Sequence, residues 1–259
     1  MDLQAYLNRI HYHQSPQVNE DTLFNLQTQH LYHVPFENLD IHYGHKIQLS
    51  LSHLYHKIVV ARRGGFCYEL NGLFYHLLKS IGFSVRMVSA RVFNYDNGYS
   101  PEFDHMTLIV TLNDREYLVD VGFGRFSLAP LPIETGQKFA GIHRDFQFDH
   151  YNQQYWRINE VVNDKLVPAY IFKPEARQLH EFEPMCNYNQ NSPDSHFAAN
   201  KMISKATPEG RITLTNQQLK ITQNNREKLI NFAEEEFEAK LNQYFNIVIS
   251  VPKDGKLKG

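Results

Sequence analysis

Residues 62–71 read Arg62-Arg63-Gly64-Gly65-Phe66-Cys67-Tyr68-Glu69-Leu70-Asn71, a glycine pair followed by a cysteine. Downstream, Leu70, Leu73, Phe74, Leu77, Leu78 and Ile81 recur at three- and four-residue intervals until Gly82, which supplies a stop. The spacing predicts a buried helix with Cys67 in its first turn. Gly64 and Gly65 are expected to supply the backbone conformations of a sharp turn. The unpaired N–H groups of a helix's first turn carry partial positive charge, which favours a thiolate. Cys67 is therefore a nucleophile candidate, expected to titrate well below an ordinary thiol. Free cysteine is also among the most buried residue types, so a core thiol is the other reading of the same position.

Before this helix, Leu3, Tyr6, Leu7 and Ile10 follow a capping Asp2, and a second amphipathic stretch starts near Asn19 or Asp21 and stops before Pro35. A third begins at Ser50. Beyond it the period changes: 84–93, 106–112, 116–121, 144–150, 153–160 and 167–173 are short β-rich runs separated by turn residues, the pattern of an antiparallel unit. Residues 187–195, rich in Asn, Ser and Pro, read as a linker or exposed loop. Strands at 211–215 and 218–222 and one long helix over 224–245 complete the chain. The class is α+β, in three parts: 1–84 helical and carrying the cysteine, 85–186 antiparallel β, and 187–259 α/β.

The chain has 259 residues, 42% of them hydrophobic, which is ample for a sizeable core, and a formal net charge of −2 without a long basic run. Nucleic acid is not an expected partner. With no basic-then-apolar leader and no run of about 18 apolar residues, a soluble, cytoplasmic protein with no membrane partner is expected. Two cysteines, Cys67 and Cys186, are too few for a disulfide scaffold or a cysteine-built zinc site. The histidine pairs His11/His13 and His53/His56 lack the spacing of a zinc enzyme, so no metal is expected.

A nucleophilic cysteine needs a base and a group to orient that base. The runs 106–112 and 116–121 flank Asn113-Asp114, and an even hairpin loop there puts Thr107 opposite Asp120. His105 and Asp120 then share one face as diagonal neighbours, within reach of an imidazole–carboxylate contact. An odd loop changes the register. A Cys67–His105–Asp120 set fits both hydrolysis of an amide, as in papain-like or transglutaminase-like enzymes, and transfer of an acyl group.

Four blocks narrow this choice. His33-Val34-Pro35-Phe36-Glu37-Asn38-Leu39, Arg63-Gly64-Gly65-Phe66-Cys67-Tyr68-Glu69, Asp104-His105-Met106 with Asp120-Val121-Gly122-Phe123-Gly124, and Asn191-Ser192-Pro193-Asp194-Ser195-His196-Phe197 together resemble the arylamine N-acetyltransferase family. The resemblance implies a helical bundle, a β-barrel and a C-terminal α/β lid around a cysteine-protease-like Cys-His-Asp core. It implies Cys67 as nucleophile, His105 as base, Asp120 as orienting carboxylate, and Phe36 and Phe123 lining the acceptor pocket. It further implies ping-pong transfer of acetyl from acetyl-CoA, through an acetyl-cysteine, to an arylamine or arylhydrazine. No phosphate-binding glycine motif follows a strand, so coenzyme A binding rests on the resemblance, and Arg125 reads either as a contact to the pyrophosphate or as a solvated arginine.

Overall fold

The computed structural model describes residues 1–124, 126–141, 144–224 and 226–249. The N-terminal segment holds α1 (Leu3–Arg9), α2 (Glu20–His33), the short strand β1 (Phe36–Glu37), α3 (Leu39–Tyr43), α4 (Leu51–Tyr55), which runs on as a π-helical turn over His56–Val60, and α5 (Cys67–Ile81). The side chains of Asp2, Asn19 and Ser50 each accept a backbone N–H three residues on, so three helix starts are capped at the residues the sequence marks. Each cap contributes about 1 kcal/mol. Helix α5 ends at Gly82, whose φ of 110° is the left-handed geometry of a C-terminal glycine.

The middle segment is antiparallel: β2 (Ser84–Asn94), β3 (Gly98–Tyr99), β4 (His105–Leu112), β5 (Arg115–Val119), β6 (Leu131–Pro132), β7 (Lys138–Phe139), β8 (Asp145–His150), β9 (Trp156–Val162) and β10 (Lys165–Phe172). Their order is β6-β5-β4-β2-β10-β9-β8-β7, with β3 beside β2, and a bridge from Thr135 to Phe148 brings the two edges close to closing a barrel. Asn113-Asp114 and Asn163-Asp164 are both left-handed, as a two-residue type I′ hairpin requires. The first hairpin therefore sets Leu112 opposite Arg115 and Leu108 opposite Val119. One step further along lie Thr107 and Asp120, in the register the sequence predicts.

The last segment contains α6 (Glu183–Asn191), α7 (His196–Ala199), β11 (Met202–Thr207), β12 (Gly210–Thr215), β13 (Gln218–Gln223), β14 (Arg226–Asn231) and α8 (Phe237–Phe245). Strand β1 pairs with β11, so residues 36 and 37 form the edge of the sheet β1-β11-β12-β13-β14. Two expectations are corrected here. Of residues 187–195 only 192–195 form a turn: α6 runs to Asn191, and its polar residues are satisfied inside the fold, where Gln190 exchanges bonds with both backbone groups of Ile47. The long helix over 224–245 is instead β14, a turn, and the short α8. The backbone of Arg226–Asn231 pairs along its length with Gln218–Gln223, a ladder that outweighs the segment's helix-compatible composition.

Strand β4 is buried on both faces, Met106, Leu108 and Val110 packing with Leu73 and Leu77 of α5 and Ile109 joining the barrel core with Phe146, Phe148 and Tyr170. A third core, containing Ile203, Leu214, Phe237 and Leu241, lies between the five-stranded sheet and α8. Among the described residues no helix is long and apolar enough to cross a membrane.

The glycine pair before Cys67 works by closeness rather than by special dihedrals. The left-handed residue of the turn is Arg62, with φ 53°, while a Cβ on Gly64 would lie 1.9 Å from the Pro35 carbonyl oxygen and one on Gly65 would lie 2.7 Å from the Glu69 side chain. Backbone 34–36 thus runs directly against backbone 63–65. Gly64→Ala is expected to lose roughly 1–3 kcal/mol by overpacking. Denaturant unfolding measures this, and a midpoint unchanged from the parent protein would refute the close approach.

Candidate active site

Cys67 opens α5, and the helix start is fixed from two sides. Glu69 Oε2 accepts the Phe66 N–H at 3.1 Å, and its Oε1 pairs with Lys57 Nζ at 2.8 Å. Lys57 also meets Asp40, and Arg63 meets both Asp40 and Glu37, so the segment leading to Cys67 is held by a buried network of three carboxylates and two cations. Burial pushes the Glu69 carboxyl up to about 7 against the pull of Lys57. On the other side a Cβ at Gly122 would lie 2.7 Å from both Cys67 Cα and Asn71 Nδ2, so only glycine lets the segment after β5 press on the first turn of α5.

His105, first residue of β4, and Asp120, just past β5, are 2% and 0% exposed, and His105 Nε2 lies 2.7 Å from Asp120 Oδ2. Asp120 Oδ2 also accepts the Tyr170 hydroxyl at 3.0 Å. Its Oδ1 accepts Asn71 Nδ2 at 2.9 Å and the Gly122 N–H at 2.8 Å. Burial works to raise the Asp120 carboxyl, yet His105 and the Asn71 and Gly122 donors together hold it below the usual carboxylate range. Asn71 also donates to the Met106 carbonyl and accepts the Val121 N–H, so one amide ties α5 to β4 and to the segment after β5.

The loop before His105 is held as firmly. Phe103 adopts φ 66°, a conformation costing a bulky side chain on the order of 1–3 kcal/mol. Its N–H bonds Ser89 Oγ at 2.7 Å, and the Tyr68 hydroxyl donates to the carbonyls of Phe103 and Asp104 at 2.8 and 3.0 Å. Tyr68, the neighbour of Cys67 in sequence, thereby fixes the loop that precedes the imidazole.

Cys67 is 3% exposed, and here the structure corrects the expectation of a low thiol pKa. Burial pushes the thiol well above its ordinary value, the Asp104 and Asp120 carboxylates add to the rise, and the Met106 N–H opposes it. Cys186 is likewise a free, buried thiol, raised to about 12 by burial.

Phe123 packs on the site directly, its ring 5.4 Å from His105 and 5.1 Å from Tyr170. Phe36 stands apart from these groups: it stacks with Phe197, which in turn meets Phe66. Arg125 lies outside the described residues. Asn71 and Tyr170 escaped the sequence reading. Asn71 carried a signal, a polar residue one helical turn after Cys67 on an apolar face, whereas Tyr170 is one aromatic among many in a β-rich run. Among the described residues no cluster of three or more His, Cys, Asp or Glu side chains is arranged to hold a metal ion.

A family model described as N-acetyltransferase matches residues 20–254. Arylamine N-acetyltransferase 2 of Mesocricetus auratus is 34% identical, the match covering 98% of each chain. Among solved structures, an arylamine N-acetyltransferase from Bacillus cereus, described as having a Cys-His-Glu catalytic triad, superposes with a TM-score of 0.88 at 27% identity, covering 96% of this chain and 100% of that one. The Mycobacterium marinum enzyme in complex with CoA superposes with a TM-score of 0.87 at 30% identity over 95% and 93% of the two chains.

Proposed function

Because the chain belongs to the arylamine N-acetyltransferase family, we propose that it carries an acetyl group from acetyl-CoA to the nitrogen of an arylamine or arylhydrazine by a ping-pong route through acetyl-Cys67. The observation that carries this reading is the buried His105–Asp120 pair lying beside the first turn of α5, where Gly122 presses on Cys67. The His105 ring is held through Nε2, which leaves Nδ1 as the proton acceptor for the thiol.

In the first half-reaction the Cys67 thiol gives its proton to His105 as the sulfur attacks the thioester carbon. The tetrahedral adduct collapses, the bond to the coenzyme sulfur breaks, and the departing thiolate takes the proton back from His105. One thioester replaces another, so acyl-transfer potential is retained for a weakly basic aromatic amine. In the second half-reaction the amine nitrogen attacks the acetyl-cysteine and loses its proton to His105, which returns it to the Cys67 sulfur. General base catalysis of this kind contributes about 10²–10⁴-fold. Burial raises the thiol, so the imidazole that accepts its proton makes the sulfur available for attack.

The intermediate must be shielded from water, since hydrolysis discharges it. Deep burial of Cys67, His105 and Asp120 supplies that shielding, and the half-buried Phe123 ring offers an aryl acceptor a stacking face next to the imidazole. Phe36 contributes to the acceptor side through Phe197 and Phe66. The M. marinum relative's complex supports acetyl-CoA as donor. Intact-mass spectrometry after mixing with acetyl-CoA is expected to show one added acetyl group, absent from Cys67→Ala and discharged by an aromatic amine such as 5-aminosalicylate. Free coenzyme A released with no adduct at Cys67, or ammonia released from amides without coenzyme A, would overturn the proposal.

A further inference from the structure

On the face formed by the end of α1, the end of α2, the turn at Arg62 and the C-terminal sheet lies a cavity of about 180 Å³. Arg9, His11, His33, Arg62, Lys205 and Asn246 line it, and among the described residues no carboxylate does. The Arg9 guanidinium is spent on backbone carbonyls, those of Ile58, His33, Arg62 and Arg63. The Lys205 ammonium lies 5.9 Å from the centre of the Phe245 ring. Among the described residues, Arg9, Arg62 and Lys205 have no anionic partner. The contrast with the next residue is sharp: Arg63 and Lys57 are fully engaged by Glu37, Asp40 and Glu69, so nearby carboxylates are directed away from this cavity.

The backbone around the cavity is unusual as well. Two lining residues that are neither glycine nor asparagine, His11 and Arg62, have φ of 58° and 53°, while Asn246, at 54°, is the ordinary left-handed cap of α8. Most of the other left-handed residues are Asn or Asp in tight turns, where that geometry is ordinary. Strained residues persist where the surroundings hold them, and they gather at binding sites. His11 and His33 stack face to face at 4.2 Å and 11°, giving one wall a flat pair of imidazoles, with the His33 Nδ1–H donated to the Gln29 carbonyl at 2.9 Å. Burial, with Arg9 nearby, pushes the Lys205 ammonium below its ordinary value, and burial followed by Arg62 brings Arg9 down to about 10. Burial is the first cause of both shifts, and the neighbouring cations add to it.

We propose that this cavity binds a phosphoryl oxyanion, clasped by Arg62 and Lys205 above the fixed Arg9 and flanked by the His11–His33 stack. Arginine supplies a planar fork for phosphate oxygens and lysine a point charge, the pairing used wherever compact oxyanions are held. The shared chemistry is the phosphate group, whether free as phosphate or pyrophosphate or carried on a larger molecule such as the coenzyme. The site does not depend on the acyl-transfer reading.

Isothermal titration of pyrophosphate into the full-length protein in low-chloride buffer tests it, with Lys205→Gln and Arg62→Asn in parallel, Asn being tolerant of positive φ. Saturable binding is expected, weakened at least about tenfold by either substitution, the loss of one charge-assisted hydrogen bond. Competition of pyrophosphate with acetyl-CoA would identify the coenzyme's phosphates as the occupant, and binding without competition a free anion. Absence of saturable binding, or equal binding by the parent and both variants, would overturn the site. Because no turnover is measured in the titration, failure of the acyl-transfer reading leaves its outcome unaffected.

Discussion

An Asp120→Asn enzyme is expected to transfer acetyl about 10³–10⁴-fold more slowly than the parent, the scale on which an orienting carboxylate matters in a nucleophile–base–acid set. All four groups around the carboxylate are donors: His105 Nε2 and the Tyr170 hydroxyl on one oxygen, Asn71 Nδ2 and the Gly122 N–H on the other. An asparagine keeps one acceptor oxygen and turns an NH₂ toward two donors. If the amide faces His105, the ring must reverse its tautomer and its remaining nitrogen no longer accepts a proton from the thiol. If the amide faces Asn71, the link from α5 to the β4–β5 hairpin is broken instead. A rate within tenfold of the parent would exclude Asp120 from the orienting role.

The same variant carries a pH signature that separates orientation from general damage. The native Asp120 carboxyl lies below its unfolded value of about 3.9. Its stabilisation is therefore fully present above that value and disappears as pH falls through the lower native one. Acid unfolding of Asp120→Asn should lack this component while the variant remains folded near neutrality.

Much of this arrangement is legible from local chemistry. Asn113-Asp114 favours an even hairpin loop, such a loop fixes the register, and that register brings His105 and Asp120 to one face. The α5 stripe from Leu70 to Ile81 similarly fixes which side of that helix is buried. What stayed hidden depends on contacts distant in sequence. Strand β14 exists because β13 offers it a ladder, which its own residues do not announce. Helix α6 hides its amides in bonds to Ile47 and Tyr68, so composition reads it as a loop. The glycine pair looks like a turn because the Pro35 carbonyl it accommodates lies almost thirty residues upstream. The Cys67 thiol belongs with these: its helix is local, but its burial comes from Gly122 and the loop before His105.

That burial leads to a prediction about the nucleophile itself. In a His105→Gln enzyme the pH profile of Cys67 alkylation should move about one to three pH units further alkaline, the range attributed to a neighbouring opposite charge. Thiolate is the reactive form, and a thiol raised by burial ionises only above its raised value. On the proposed route His105 accepts the thiol proton and its imidazolium offsets part of the desolvation, so the parent's profile should lie below that of the same buried thiol without the imidazole. Without the imidazole, the Met106 N–H opposes the desolvation and the carboxylates of Asp104 and Asp120 reinforce it. The variant's rate should then still be climbing at the pH where the parent's levels off. Coincident profiles would mean that the proton leaves Cys67 by another path, and His105 would lose its place as the base in both half-reactions.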